Sequence, residues 1–431
     1  MTAFRFGVLV SVHLAFHLAS SLQAAAQSPT ESTPMAPSDT VRMTIDEAKH
    51  VALTRNLSIL AARARLSATE ADIVAAEMYP NPQISYNYTY FNPFVKPVDV
   101  NVAQSSIRLD QTIPLGGKRS ARHDVAEFMT EASKFDLEQS IHLLTCDVKE
   151  AYIDVQYAER QLDIARKNLD LFRQLEAASK VRLEAGDIAE QDVTKIELEN
   201  LSTNQSVVDA EEAVEDSRAK LYSILGLDRS VTLHLATDLT PTLAPLRDDS
   251  VVQIALTIRA DIHAEEQRIK AAGRAVDLAH DGIVPDLDLG VELDKQGPDF
   301  KNYFGAGVGI AIPLFSRNQD EIQRSEANAH AAEYDMEALR KGVRIDVVSA
   351  LAKYRNSLKS IQRLTPSIMP QADSMLSTSV KNYQAGHIGF LDLLESERIH
   401  SDAVTSYYTA IYKLTKHQIA LERAVGRELI Q

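Results

Sequence analysis

Four stretches of this chain alternate apolar and polar residues with a period of two. Ile84, Tyr86, Tyr88 and Tyr90 alternate with Ser85, Asn87 and Thr89, the pattern of a half-apolar strand. Residues 91–101, with Pro93 and Pro97, predict a long exposed turn. The return strand sets Ile107, Leu109, Gln111 and Ile113 against Ser106, Arg108, Asp110 and Thr112. Later in the chain Leu287, Leu289, Val291 and Leu293 oppose Asp288, Gly290, Glu292 and Asp294. Their return strand opposes Phe304, Ala306, Val308, Ile310 and Ile312 to Gly305, Gly307, Gly309 and Ala311. Hairpins with one greasy and one polar or glycine face suit a barrel with lipid outside and water inside, and roughly 10 residues spans a bilayer as a tilted strand. The edge of a soluble sandwich packed on helices would show the same alternation.

Between these strands the apolar period is three to four. Thr44, with Glu47 three residues on, caps a helical pattern that runs to Tyr79 and stops at Pro80-Asn81-Pro82. Lys118 to Ala185 reads as one helix, roughly 100 Å long at 1.5 Å per residue. Val148, Ala151, Val155, Ala158, Leu162, Ala165, Leu169 and Phe172 form its seam, large then small, as in closely spaced coiled-coil helices. After Gly186 a second helix returns to about Leu225 with Val207, Ala210, Val214, Ser217, Leu221 and Ile224 on one stripe. A matching pair is predicted from Asn318 to Ala385 and from Phe390 to Val425.

The chain therefore repeats itself. Ile113-Pro114-Leu115-Gly116-Gly117-Lys118-Arg119 is echoed by Ile312-Pro313-Leu314-Phe315-Ser316-Arg317-Asn318, and Ala185-Gly186-Asp187-Ile188 by Ala385-Gly386-His387-Ile388, at offsets of about 199 and 200 residues. Duplication at that length means two pseudo-symmetric halves rather than a solenoid. The first repeat spans 43–227, with strands about 83–113 and a helical hairpin about 118–225. The second spans 249–431, with strands about 286–313 and a hairpin about 318–425. Residues 228–248, rich in Thr, Leu and Pro, read as a linker. Four strands cannot close a barrel, and an open edge in lipid leaves backbone groups unpaired. Closure demands several chains: two would give eight strands and a filled interior, three would give twelve and room for a pore.

Residues 1–26 carry one cation, Arg5, then an apolar stretch ending in Ala24-Ala25-Ala26, which predicts a cleaved secretory signal rather than an anchor; Gln27, not cysteine, follows the cut. Residues 27–42 read as a flexible leader. The net charge of −15 argues against a nucleic-acid surface and fits either a carrier of cations or a soluble exterior. The single cysteine, Cys146, allows no disulfide frame, so an exported chain must be held by packing. After residue 26 no apolar run is long enough for a membrane helix, so a bilayer would be crossed by strands. No Gly-x-Ser-x-Gly, His-Glu-x-x-His or Cys/His ligand cluster is present; neither enzyme chemistry, cofactor nor tight metal site is expected. The histidines, His142, His263, His280 and His400 among them, are scattered on helices.

The duplicated order of strand pair and helix pair resembles the TolC-like outer-membrane efflux protein family over essentially the whole mature chain. The resemblance implies a mainly α fold with a membrane β-barrel: four strands per chain in a trimeric twelve-strand barrel, continued by a long α-helical coiled-coil tunnel across the periplasm. It implies a passive exit duct working with a periplasmic adaptor and an inner-membrane transporter of the RND type. Arg182-Leu183-Glu184-Ala185-Gly186 resembles the family's Arg-x-x-x-Gly helix tip, which implies that Arg182 and Gly186 dock the adaptor, with Asp192 at the family's spacing. Gly386 matches in the second half, but Asn382 stands where the arginine would be. Asp392 and Glu395 match acidic positions lining the narrow tunnel end, where three copies would ring the pore and act as its gate. Like carboxylates so placed repel, prefer cations between them and raise one another's pKa.

Gly116-Gly117-Lys118-Arg119, with Arg122, resembles the strand-to-helix junction of the family's heavy-metal cation branch (cobalt, zinc, cadmium). Read from the residues alone, the glycines allow a sharp exit from the barrel and the cations sit at the membrane interface. For Gly186 and Gly386 the plain reading is a helix-ending glycine in a left-handed conformation; for Asp392 and Glu395 it is a solvated helix surface. Two other functions stay open: a duct for drugs or secreted proteins, and a periplasmic coiled-coil adaptor or structural protein without membrane strands.

Overall fold

The structure is a computed structural model that describes residues 40–89, 104–228, 232–237, 248–296, 301–363 and 368–428. The secretory signal at 1–26, the leader up to residue 39, the turn at 91–101 and most of the 228–248 segment lie outside the described residues.

In the first repeat a short strand β1 (Thr40–Met43) precedes helices α1 (Ile45–Arg55) and α2 (Leu57–Glu77), strands β2 (Gln83–Thr89) and β3 (Gln104–Ile113), and helices α3 (Lys118–Glu184) and α4 (Glu190–Leu225). Strand β4 (Thr232–Leu235) follows. The second repeat comprises α5 (Asp248–Ile258), α6 (Ala260–Asp281), β5 (Leu287–Gln296), β6 (Lys301–Ile310), α7 (Gln319–Arg363), α8 (Ile368–Gln384) and α9 (Phe390–Val425).

The pattern from Thr44 to Tyr79 predicted one helix, and the structure makes two. Thr44 caps the first reciprocally: Glu47 N–H donates to its hydroxyl at 3.3 Å and Thr44 N–H to Glu47 Oε2 at 2.7 Å. Asn56 then breaks the run with an extended backbone at ψ 123°. Its Oδ1 accepts from Ser58 N–H at 2.9 Å, and its Nδ2 donates to Ile224 O of α4 at 2.9 Å. Arg259 breaks α5 from α6 in the same extended geometry, so the kink belongs to both repeats. The long second-half run is described as α7 up to Arg363 and as α8 from Ile368; residues 364–367 between them lie outside the described residues. Pro370 falls in the first turn of α8, where no intrahelical N–H is required.

Thr40–Met43, at the end of the segment read as a leader, and Thr232–Leu235, inside the segment read as a linker, form a parallel two-stranded sheet. Tyr152 of α3 locks it: the buried hydroxyl donates to Met43 O at 3.0 Å and accepts from Thr237 N–H at 3.2 Å. Around it Met43, Ala48, Ala52, Val148, Tyr152, Leu221 and Leu233 bury a common core. A corresponding core in the second repeat gathers Val251, Ala255, Val347, Tyr354, Ile411 and Leu414.

The two hairpins join into one antiparallel sheet in the order β2-β3-β5-β6. Its register aligns most of the apolar positions: Ile84 opposes Leu109, Leu109 opposes Val291, and Val291 opposes Ala306; Leu289 opposes Val308, while Tyr88 meets Ser105 and Leu289 also meets Gln111. This face is open, with Ile84 76%, Phe304 72% and Val308 70% exposed, the kind of apolar patch that marks a membrane or protein contact. The opposite face carries Arg108 paired to Asp110 at 2.8 Å, Thr112 bonded to Asp288 at 2.5 Å and Gln104 bonded to Asp294 at 2.7 Å. Gly290 sits beneath the Arg108–Asp110 pair, where a methyl group would come within 2.7 Å of Asp110 Oδ1. Strands β2 and β6 are the edges of the sheet among the described residues.

The predicted seam is buried where the helices pack closest: Val148, Val155 and Phe172 are at most 1% exposed. Helices α3 and α9 bind the repeats together through Lys416 to Glu150 at 3.0 Å and Asp154 at 3.1 Å, and Arg423 to Asp147 at 2.7 Å, with Tyr157 stacked on Tyr412 at 4.2 Å. Cys146 lies buried in the same contact, its thiol pushed up to about 11 by burial, which leaves it unreactive near neutral pH.

Candidate functional site

Three places carry the chemistry that the sequence singled out: the two helix tips, the acidic start of α9, and the junction between barrel and α3.

Each tip closes by the same turn. In the first, Gly186 N–H donates to Leu183 O at 2.9 Å and Asp187 N–H to Arg182 O at 2.9 Å; in the second, Gly386 N–H donates to Tyr383 O at 3.0 Å and His387 N–H to Asn382 O at 2.8 Å. Both glycines are left-handed, at φ 80° and 79°, as this helix ending requires. A methyl group on Gly186 would meet nothing within 4 Å, so backbone conformation and not space demands glycine there.

Arg182 does not stand free at the tip. Its Nη1 donates to Tyr383 O at 3.1 Å, and its guanidinium lies 5.4 Å from the Tyr383 ring. The Tyr383 hydroxyl reaches back to Ser179 Oγ at 3.0 Å, and Phe172, Leu175, Ile196, Phe390 and Leu393 bury the rest of the ring. The first repeat's arginine thus braces the second repeat's turn, which has Asn382 and no arginine of its own. Tyr383 is the residue that sequence reasoning missed. The hint was its place: it stands opposite Leu183 in the echo, a ring where the other half has an aliphatic. Asp192 pairs with Lys195 at 3.2 Å, half-exposed at the start of α4, where a carboxylate also favours the helix N-terminus.

Asp392 and Glu395 are both exposed, one turn apart on α9. Asp392 Oδ2 accepts from Gly389 N–H at 3.1 Å, so this carboxylate also caps the helix. Glu395 is held by Arg398 through both oxygens, at 2.7 and 3.1 Å. That hydrogen bond keeps the Glu395 carboxyl below its ordinary value, whereas a ring of like carboxylates alone would raise it. Arg398 also reaches Asp402 at 3.3 Å, so the tip alternates charge. Behind it Glu397 is buried at 7% exposure, its carboxyl pushed up first by burial and then by nearby Glu199. It lines a groove of 340 Å³ between α3, α4 and α9 with Asn168, Thr203 and Ser401.

At the junction Gly116 and Gly117 are left-handed, at φ 73° and 82°. A methyl group on Gly116 would press within 2.8 Å of Val284 Cβ, so this position needs both the conformation and the space. Gly117 caps α3, and Asn318, the only left-handed residue other than glycine among those described, holds the matching place before α7 at φ 61°. Its Nδ2 donates to Ala279 O at 2.7 Å. Lys118 is largely buried and pairs with Asp286 at 2.6 Å, tying the start of α3 to the strand entry of the other repeat. Arg119 lies 4.7 Å from the Tyr79 ring. The junction cations therefore serve contacts within the fold.

Among the described residues no helix is long and apolar enough to cross a membrane. The sequence profile described as Outer membrane efflux protein matches residues 49–227 and 251–427, one match per repeat. The chain is similar to the cobalt-zinc-cadmium resistance protein CzcC of Cupriavidus metallidurans, 24% identical over 385 residues covering 89% of this chain and 90% of that protein. It is also similar to the pyoverdine export outer membrane protein OpmQ of Pseudomonas putida, 25% identical over 72% of this chain and 67% of that one. Among solved structures, that of CusC, described as forming a transmembrane channel, superposes with a TM-score of 0.76 at 18% identity, covering 94% of this chain and 99% of that one. With a TolC-like fold and both repeats matched, the chain belongs to the outer membrane efflux protein family.

Proposed function

We propose that this chain is the outer-membrane duct of a three-part export pump for divalent heavy-metal cations of the cobalt, zinc and cadmium kind. The observation that carries the duct is the four-stranded sheet, mostly apolar on one face and mostly polar on the other, with both edges available to sister chains. Three copies would close twelve strands in lipid and continue the bore through the helices. The metal reading rests on similarity to CzcC along nearly the full length of both proteins. The tip carboxylates support it: Asp392 and Glu395 ringed on a three-fold axis would attract cations, an attraction tempered by the Arg398 that pairs with Glu395.

In this reading the signal at 1–26 is cleaved on export, and the leader and linker flank the two repeats. Arg182, Gly186, Asp192 and Gly386 present the tips to a periplasmic adaptor, and an RND-type transporter in the inner membrane supplies the drive. Gly116, Gly117, Lys118 and Arg119 turn the chain from barrel to tunnel. Similarity to OpmQ favours a second reading, the same duct serving an organic solute. A deletion strain distinguishes them. Loss of zinc and cobalt tolerance with drug tolerance intact supports the metal duct, and the reverse pattern overturns it.

A further inference from the structure

Below the junction, α3 presents His123, Asp124 and Glu127, whose ligand atoms all lie within 4.8 Å of one another. His123 and Glu127 are four residues apart and so share a helix face. We propose that these three side chains bind one divalent first-row transition cation of the zinc, cobalt or nickel class, with Glu77 as the support of the histidine.

The orientation of the imidazole carries the assignment. Its Nε2 faces Glu77 Oε1 of α2 at 3.3 Å, and its Nδ1 faces Asp124 Oδ1 at 3.6 Å. Placing the single ring proton of neutral histidine on Nε2 satisfies Glu77 and leaves the Nδ1 lone pair directed at a carboxylate oxygen. In that tautomer two electron-rich atoms face each other at 3.6 Å, and a cation between them, a metal ion or a second ring proton, relieves the repulsion. A carboxylate behind the ring is how metal-bound histidines are oriented and made more basic.

Asp124 is prepared in the same sense. Arg274 of α6 holds it through Oδ2, with Nε at 3.0 Å, and also bonds Asp277 at 2.9 Å. The arginine fixes the carboxylate plane and leaves Oδ1 turned toward His123. Glu127 is exposed and supplies the outer oxygen, while His123 and Asp124 are half-buried. One nitrogen and two oxygens with an open side suit borderline cations that keep water ligands, and the imidazole disfavours magnesium and calcium. Occupancy would fix the His123–Glu77 contact that links α2, which leads into β2, to α3, which leaves β3. The site stands whether the duct exports metals or organic solutes.

The test is zinc titration of the untagged, detergent-solubilised full chain by calorimetry, with X-ray absorption of the zinc-loaded protein. We expect one ion per chain and a shell of one nitrogen with oxygens at about 2.0–2.2 Å. Glu77→Gln should weaken binding about 10–100-fold, and His123→Ala should abolish that stoichiometric step while His330→Ala, on exposed α7, leaves it unchanged. An all-oxygen shell, no stoichiometric binding, or full affinity in folded His123→Ala protein would overturn the assignment. The absorption measurement needs only the native chain, so it decides even where a variant fails to fold. Since no transport is read, a failed site leaves the proposed export function standing, and a failed export assay leaves the site standing.

Discussion

Gly186 and Gly386 end their helices with φ near +80° and almost nothing around the missing side chain. Replacing Gly186 with leucine therefore costs about 1–2 kcal/mol for the left-handed backbone, and its first side-chain carbon meets nothing within 4 Å. Gly186→Leu should assemble normally and abolish metal resistance by spoiling the docking tip; loss of assembly in the purified variant would make the glycine structural alone. Glu428 offers a test of the electrostatics. Hydrogen bonding to Lys149 at 2.6 Å, with Lys49 at 2.9 Å, holds its carboxyl down from 4.5 to about 2. A depressed carboxyl contributes stability that is present above about pH 4.5 and lost as pH falls toward 2. Glu428 is partly exposed, so after solvent screening the contribution is about 1 kcal/mol. Glu428→Gln should lower the midpoint of denaturant unfolding at pH 7 and converge with the parent near pH 2, and parallel curves at both pH values would refute the linkage.

At the scale of elements, the strands and the long hairpin helices were legible because each presents a simple period. The alternation at 84–89 and 106–113 survives into the register, and the run from Lys118 gives α3 almost to the residue. What escaped depends on partners distant in sequence. Asn56 breaks a helix partly because Ile224 O is there to accept from it, and no local pattern announces that. Thr40–Met43 and Thr232–Leu235 look like leader and linker, since a strand of four residues is only worth forming beside its mate. At the tips, the glycine turns were readable, but the brace from Arg182 to Tyr383 crosses the repeats and was not. Arg398, three residues after Glu395, was in plain view and bears on the proposed gate: Glu395 has a local partner and Asp392 a capping duty. Asp392→Asn combined with Glu395→Gln should weaken cation preference and raise resting conductance of the reconstituted channel. Unchanged conductance and ion selectivity in planar bilayers would remove both residues from the gate.

At the scale of the whole molecule, the sheet and the helices pose one problem with one shared solution. An apolar sheet face with exposed Ile84, Tyr86, Phe304, Val308 and Ile310 needs lipid, and lipid forbids the free edges of β2 and β6. Pairing β6 of one chain with β2 of the next satisfies both demands at once, and the duplicated helical hairpins then line the bore below. The most direct measurement is single-particle imaging of the purified full chain in detergent. The account predicts three chains about one axis, twelve strands inside a detergent annulus and a helical tube beneath. A monomer that stays soluble without detergent and shows no annulus would contradict it.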